Sequence, residues 1–82
     1  MNSIELRIKN IMSLVLKTDH ITDDFKIEDT EKWDSLQHMN LIAVLEDEFD
    51  ISFNNDEIVD MKSYTLVLDK VRQHLANEQL NG

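Results

Sequence analysis

Apolar residues return every three or four positions in three separate stretches of this chain, and that period predicts α-helices. In residues 4–16 the stripe is Ile4, Ile8, Ile11, Met12 and Val15, with Asn2 or Ser3 available as the cap. Leu6 and Leu14 fall off that stripe, so this helix is expected to show some apolar surface. Residues 35–49 give the strongest helix, with Leu41, Ile42, Leu45 and Phe49 as its buried stripe and Leu36, Met39 and Ala43 as a second row displaced around the axis. Asp34 suits its N-cap, and Gln37 three residues on fits a capping box. A short helix is expected over 54–61, capped by Asn54 or Asn55, with Ile58 and Met61 turned inward. A last helix is expected over 64–75, where Tyr64, Val67, Leu68, Val71 and Leu75 keep the spacing behind a Ser63 cap.

Four helices around one core, three longer and one short, predict an all-α four-helix bundle. An 82-residue chain has room for one domain, so residues 1–82 are read as a single unit with its core over about 4–75 and a frayed tail over 76–82. The segment 17–33 has no sustained period. Thr18, Asp19, Thr22, Asp23, Asp24 and Asp29 favour local side-chain to backbone bonds. It is predicted to be a long ordered loop with a short helical turn, pinned to the core by Ile21, Phe25 and Ile27.

The formal charge of −9 argues against nucleic acid as a partner, because phosphates demand a basic face. Its placement is more telling. Residues 18–61 hold 14 of the 17 acids and two bases, Lys26 and Lys32, for a net −12; the two ends together carry +3. Acid gathered in one stretch is either a docking surface for basic partners or a solvated face that keeps the protein soluble. Residues 1–17 mix Glu5, Arg7 and Lys9 among the apolar positions, which excludes a signal peptide or membrane span there and makes a cytoplasmic protein the expectation. With no cysteine, the chain has no thiol of its own and no thiolate metal site. The three histidines, His20, His38 and His74, lack ligand spacing, and His38 is expected to be an exposed polar residue. Neither 19–31 nor 46–60 has the alternating ligands and central Gly of a helix-loop-helix calcium loop, so no metal site is expected. No nucleophile and base stand at readable spacing, so the chain is not expected to be an enzyme.

The tripeptide Asp34-Ser35-Leu36 opens the central helix after the long acidic loop. A hydroxyl at a helix N-terminus lies where backbone N–H groups point outward and the dipole favours anions, so a phosphodiester on Ser35 would sit in a favourable field. The loop-helix junction also leaves it open to a modifying enzyme. The plain alternative is a first-turn serine behind an aspartate cap.

From residue 4 to residue 75 the sequence resembles the acyl carrier protein family. The likeness is densest in Trp33-Asp34-Ser35-Leu36 and in Leu41-Ile42-Ala43-Val44-Leu45-Glu46-Asp47-Glu48-Phe49. It continues through Ile51-Ser52-Phe53, Asp56-Glu57-Ile58 and Met61-Lys62-Ser63. The resemblance implies that Ser35 receives 4'-phosphopantetheine from coenzyme A through a magnesium-dependent phosphopantetheinyl transferase, with Asp34 assisting. The holo protein would hold acyl groups as thioesters and present them to acyl-activating, acyltransferase or synthase enzymes with basic docking surfaces. Leu36, Met39 and Ala43 match the apolar partner-facing row, and Glu46, Asp47, Asp56 and Glu57 the acidic docking positions. A monomer is the expectation for such a shuttle.

The sequence departs from carriers of primary fatty acid synthesis in Trp33 and in Asn40, which stands where those carriers usually have an acid. Trp33 looks more like carriers of specialised pathways, though it could equally only pack over the end of the loop. The alternatives are the primary fatty acid carrier and an acidic helical adaptor without a prosthetic group.

Overall fold

The structure, a computed structural model, describes the backbone of residues 3–81 and the side-chain surroundings of residues 4–77. Four α-helices follow in order: α1 (Ser3–Leu16), α2 (Ser35–Phe49), α3 (Asn55–Asp60) and α4 (Tyr64–Asn81). The all-α bundle expected from the periodicity is present, with a 3-10 turn at Ile27–Asp29 inside the loop between α1 and α2. Asn2, one of the two candidate caps for α1, and Gly82 lie outside the described residues.

One core joins all four helices. Ile8, Met12 and Leu16 of α1, Leu41 and Leu45 of α2, Met61, and Val67 and Val71 of α4 are fully enclosed. All but Leu16 are positions the sequence reading turned inward; Leu16 replaces the half-buried Val15 at the end of the α1 stripe. Leu6 and Leu14 are exposed, as their places off the stripe require. The most extensive helix-helix packing is between α1 and α2.

α1 ends at Lys17, which takes a left-handed φ of 54°. The loop then crosses the bundle and is stitched to the start of α4: Ile27 N–H donates to Lys62 O (2.8 Å), and Tyr64 N–H donates to Phe25 O (2.9 Å). These two bonds frame an isolated antiparallel bridge between Lys26 and Ser63. Phe25 is buried, and Ile21 and Ile27 pack partly buried against the core. The segment is therefore ordered by burial of three side chains and two long-range backbone bonds, with no glycine or proline to fix its turns.

α2 stops at Asp50, whose φ of 55° is left-handed and whose N–H returns to Glu46 O. α3 is held by a full capping box: Asn54 accepts from Glu57 N–H (2.9 Å), and the Glu57 carboxylate accepts from Asn54 N–H (3.0 Å). At the start of α4, Ser63 Oγ accepts from Leu66 N–H (3.2 Å). α4 differs from the expected frayed tail: it runs on past Leu75 to Asn81. Ala76, Glu78, Gln79 and Leu80 are strong helix formers and no breaker interrupts them before Gly82.

Candidate functional site

Ser35 is the first residue of α2 and is exposed. Asp34, also exposed, caps the helix: its backbone is extended, its Oδ1 accepts from Gln37 N–H (2.9 Å), and its carbonyl accepts from His38 N–H (2.8 Å). The reciprocal half of the expected capping box is absent. Gln37 Oε1 instead accepts from Asn40 Nδ2 (3.3 Å). Ser35 thus stands as an exposed residue on a capped first turn. Leu36 and Met39 beside it are 68% and 53% exposed, and Ala43 is exposed on the same side of the helix. This is the apolar row expected from the sequence, and it contributes nothing to the core. Val44 and Val59 are further exposed apolar residues that the sequence reading did not single out.

Beneath Ser35 lies a relay that the sequence did not disclose. Trp33 is only 3% exposed, so it packs over the end of the loop; its ring stacks on Phe25 with centroids 5.8 Å apart and planes 8° from parallel. Its Nε1–H donates to His38 Nδ1 (2.9 Å), and His38 Nε2 donates to Ile58 O of α3 (2.7 Å). His38 is therefore not the exposed polar residue expected. It is half-buried, and its two partners require the neutral Nε2–H tautomer. Both partners lie off the helix, and Ile58 is twenty residues away, so helical spacing could not indicate this role.

The four acids expected to meet partners divide into two pairs. Asp47 and Asp56 are exposed. Glu46 is half-buried, and its Oε2 accepts from Phe53 N–H (2.9 Å), holding the chain between α2 and α3. Glu57 is committed to the α3 capping box and to His74, whose Nε2 donates to both carboxylate oxygens (2.9 and 3.1 Å). Burial opposes the charge on Glu57, yet the Asn54 N–H and His74 outweigh it and hold the carboxyl below its usual range. Glu46 and Glu57 thus have partners within the fold that the sequence reading did not foresee. Glu48 is likewise occupied, by Arg7 of α1, whose guanidinium also lies 4.6 Å from the centre of the Phe49 ring.

Among the described residues, no three histidine, aspartate or glutamate side chains converge to hold a metal ion. No described helix is long and apolar enough to cross a membrane.

The fold can be placed beside known proteins on this geometry. The solution NMR structure of a holo acyl carrier protein from Geobacter metallireducens matches it with a TM-score of 0.84 and 29% sequence identity, over 99% of this chain and 95% of that one. The chain has the fold of an acyl carrier protein and is similar to that protein over nearly its whole length. Its fold is that of a carrier and not of a catalyst. No family model matches the sequence.

Proposed function

We propose that this protein carries acyl groups as thioesters on a 4'-phosphopantetheine arm attached to Ser35 Oγ, and delivers them to partner enzymes of a specialised biosynthetic pathway in the cytoplasm. The exposed hydroxyl of Ser35 on the Asp34-capped first turn of α2 carries this reading. The residues fit the group. Ser35 and its neighbours Asp34 and Leu36 are exposed, and the helix N-terminus favours the charge of a phosphodiester. The arm supplies the thiol that this cysteine-free chain lacks.

In the loading reaction the Ser35 oxygen bonds to the phosphorus of coenzyme A nearest the pantetheine. The pyrophosphate bond breaks, 3',5'-adenosine bisphosphate leaves, and the hydroxyl proton passes to a base at the transferase interface. Asp34 caps α2 through one carboxylate oxygen, and its other oxygen would assist a magnesium ion brought by the transferase. The exposed Leu36, Met39 and Ala43 offer the enzyme an apolar strip, and Asp47 and Asp56 offer charge to basic partners. The residue types at Trp33 and at Asn40, which is exposed where primary carriers usually have an acid, support a specialised pathway over primary fatty acid synthesis.

The test is to incubate the apo protein with coenzyme A, magnesium and a broad-specificity transferase and to record its intact mass. One phosphopantetheinyl group is gained by the wild type and none by Ser35→Ala. A wild type that gains nothing is an acidic adaptor, and the carrier reading fails.

A further inference from the structure

On one side of the turn that bears Ser35, the Trp33–His38–Ile58 hydrogen bonds tie the start of α2 to α3, and inserting an apolar chain among them would strip those groups of their partners. The α1 side is different. There a cavity of about 210 Å³ opens between the end of α1 and the start of α2, lined by Val15, Leu16, Lys17, Lys32, Asp34 and Gln37.

The lining of this cavity is unusual for its part of the chain. Lys32 is one of two bases in the stretch 18–61, which is otherwise acidic. It is anchored at the cavity: Lys32 Nζ donates to the carbonyl of Lys17 (2.8 Å), the residue held at left-handed φ. The Lys32 ammonium, held on the Lys17 carbonyl, the half-buried Val15 and Gln37, and Asp34 therefore meet beside the attachment turn. A phosphopantetheine arm presents the same sequence of chemistries: one phosphodiester charge, then apolar gem-dimethyl carbons, then amides.

Resting on the carrier reading, we infer that the α1-side cavity is the seat of the arm: Lys32, with Lys17 beside it, faces its phosphodiester, Val15 its apolar carbons and Gln37 its amides, and a short acyl cargo stays on this side and outside the core. The occupant is fixed by continuity, because Asp34 and Gln37 line the cavity and flank Ser35 in the same turn. The charge of the lysines is opposite to that of the phosphodiester.

Backbone amide NMR spectra of the full chain test this in three forms: apo, loaded from coenzyme A, and loaded from acetyl-coenzyme A. Outside residues 34–36, the largest changes on loading are expected at residues 15–17, Lys32 and Gln37, with Leu41, Leu45 and Ile58 unmoved in both loaded forms. Lys32→Gln should reduce the changes at 15–17 at least twofold while those at Ser35 persist. Changes centred on Leu41, Leu45 and Ile58, or confined to 34–36, overturn the assignment, as does a Lys32→Gln protein that responds like the wild type. The comparison of wild-type forms stands without the variant. Failure of the apo protein to gain the mass of the arm is a separate result: it removes the carrier reading itself, and the seat with it.

Discussion

Trp33 and His38 close a hydrogen-bonded loop, 2.9 Å from Nε1 to Nδ1, around the turn that bears Ser35. Continued through His38 Nε2 to Ile58 O, it ties the end of the long loop, the start of α2 and the short α3 into one unit. The serine is therefore presented on a turn braced from below, while its own side of the helix faces outward.

Removing the imidazole should be costly. His38→Ala leaves the Trp33 N–H and the Ile58 carbonyl without their partner in half-buried or buried surroundings, which predicts a loss of about 1–3 kcal/mol in urea unfolding. Trp33 fluorescence should shift to the red as the ring gains water. A loss below about 0.5 kcal/mol would show that the relay does not brace the turn.

The two kinds of acid should separate by experiment. Asp47→Lys and Asp56→Lys alter exposed groups, so they should weaken association with a basic partner enzyme while leaving stability within about 0.5 kcal/mol. Raising the salt concentration should weaken wild-type association in the same direction. Glu46→Lys should lower stability as well, because Phe53 N–H loses its acceptor. Partner affinity measured by titration calorimetry, beside denaturation of each variant, checks the division. Equal affinity in wild type and both aspartate variants contradicts the electrostatic account of docking.

Glu57 sets a direction for the pH dependence of folding. Its carboxyl is held below the ordinary value of 4.5, so the unfolded chain binds the proton more readily. The resulting stability is fully present above pH 4.5 and is lost as the pH falls through the lower folded value. Glu57→Gln should be less stable than wild type at neutral pH, and the gap should narrow on acidification below that point. Thermal melts across pH 3 to 7, taken as approximate bounds on either side of the carboxylate range, provide the measurement. A gap that widens toward acid reverses the predicted sign.

In the interior, Leu45 is fully enclosed on α2. Leu45→Ala should cost about 2–5 kcal/mol. That is a large share of the roughly 4–12 kcal/mol expected for a domain of this size, so the variant should melt far below wild type or fail to fold. A melting temperature within about 2 °C of wild type would contradict the core assignment.

The periodicity was sufficient to locate α2 and its buried residues, because Leu41, Ile42, Leu45 and Phe49 keep helical spacing and Asp34 supplies the cap next to them. The exposed row of Leu36, Met39 and Ala43 follows from the same geometry. Contacts between distant segments were a different matter. His38 looks like a surface residue in sequence because its partners are Trp33 on the loop and Ile58 on α3. Glu57 and Glu46 look like free acids until His74, Asn54 and Phe53 N–H are brought to them by the fold. The seam between Lys26 and Ser63 has no local signal at all, since it rests on backbone atoms that every residue shares.

The central claim is a covalent one, and tandem mass spectrometry of the transferase-treated protein tests it at the level of the residue. The account predicts a single added group whose fragments place it on Ser35, with a phosphodiester signal in the phosphorus NMR spectrum of the intact product. A group located on any other side chain, or an exposed Ser35 that remains unmodified under conditions that load another acyl carrier protein, would contradict it.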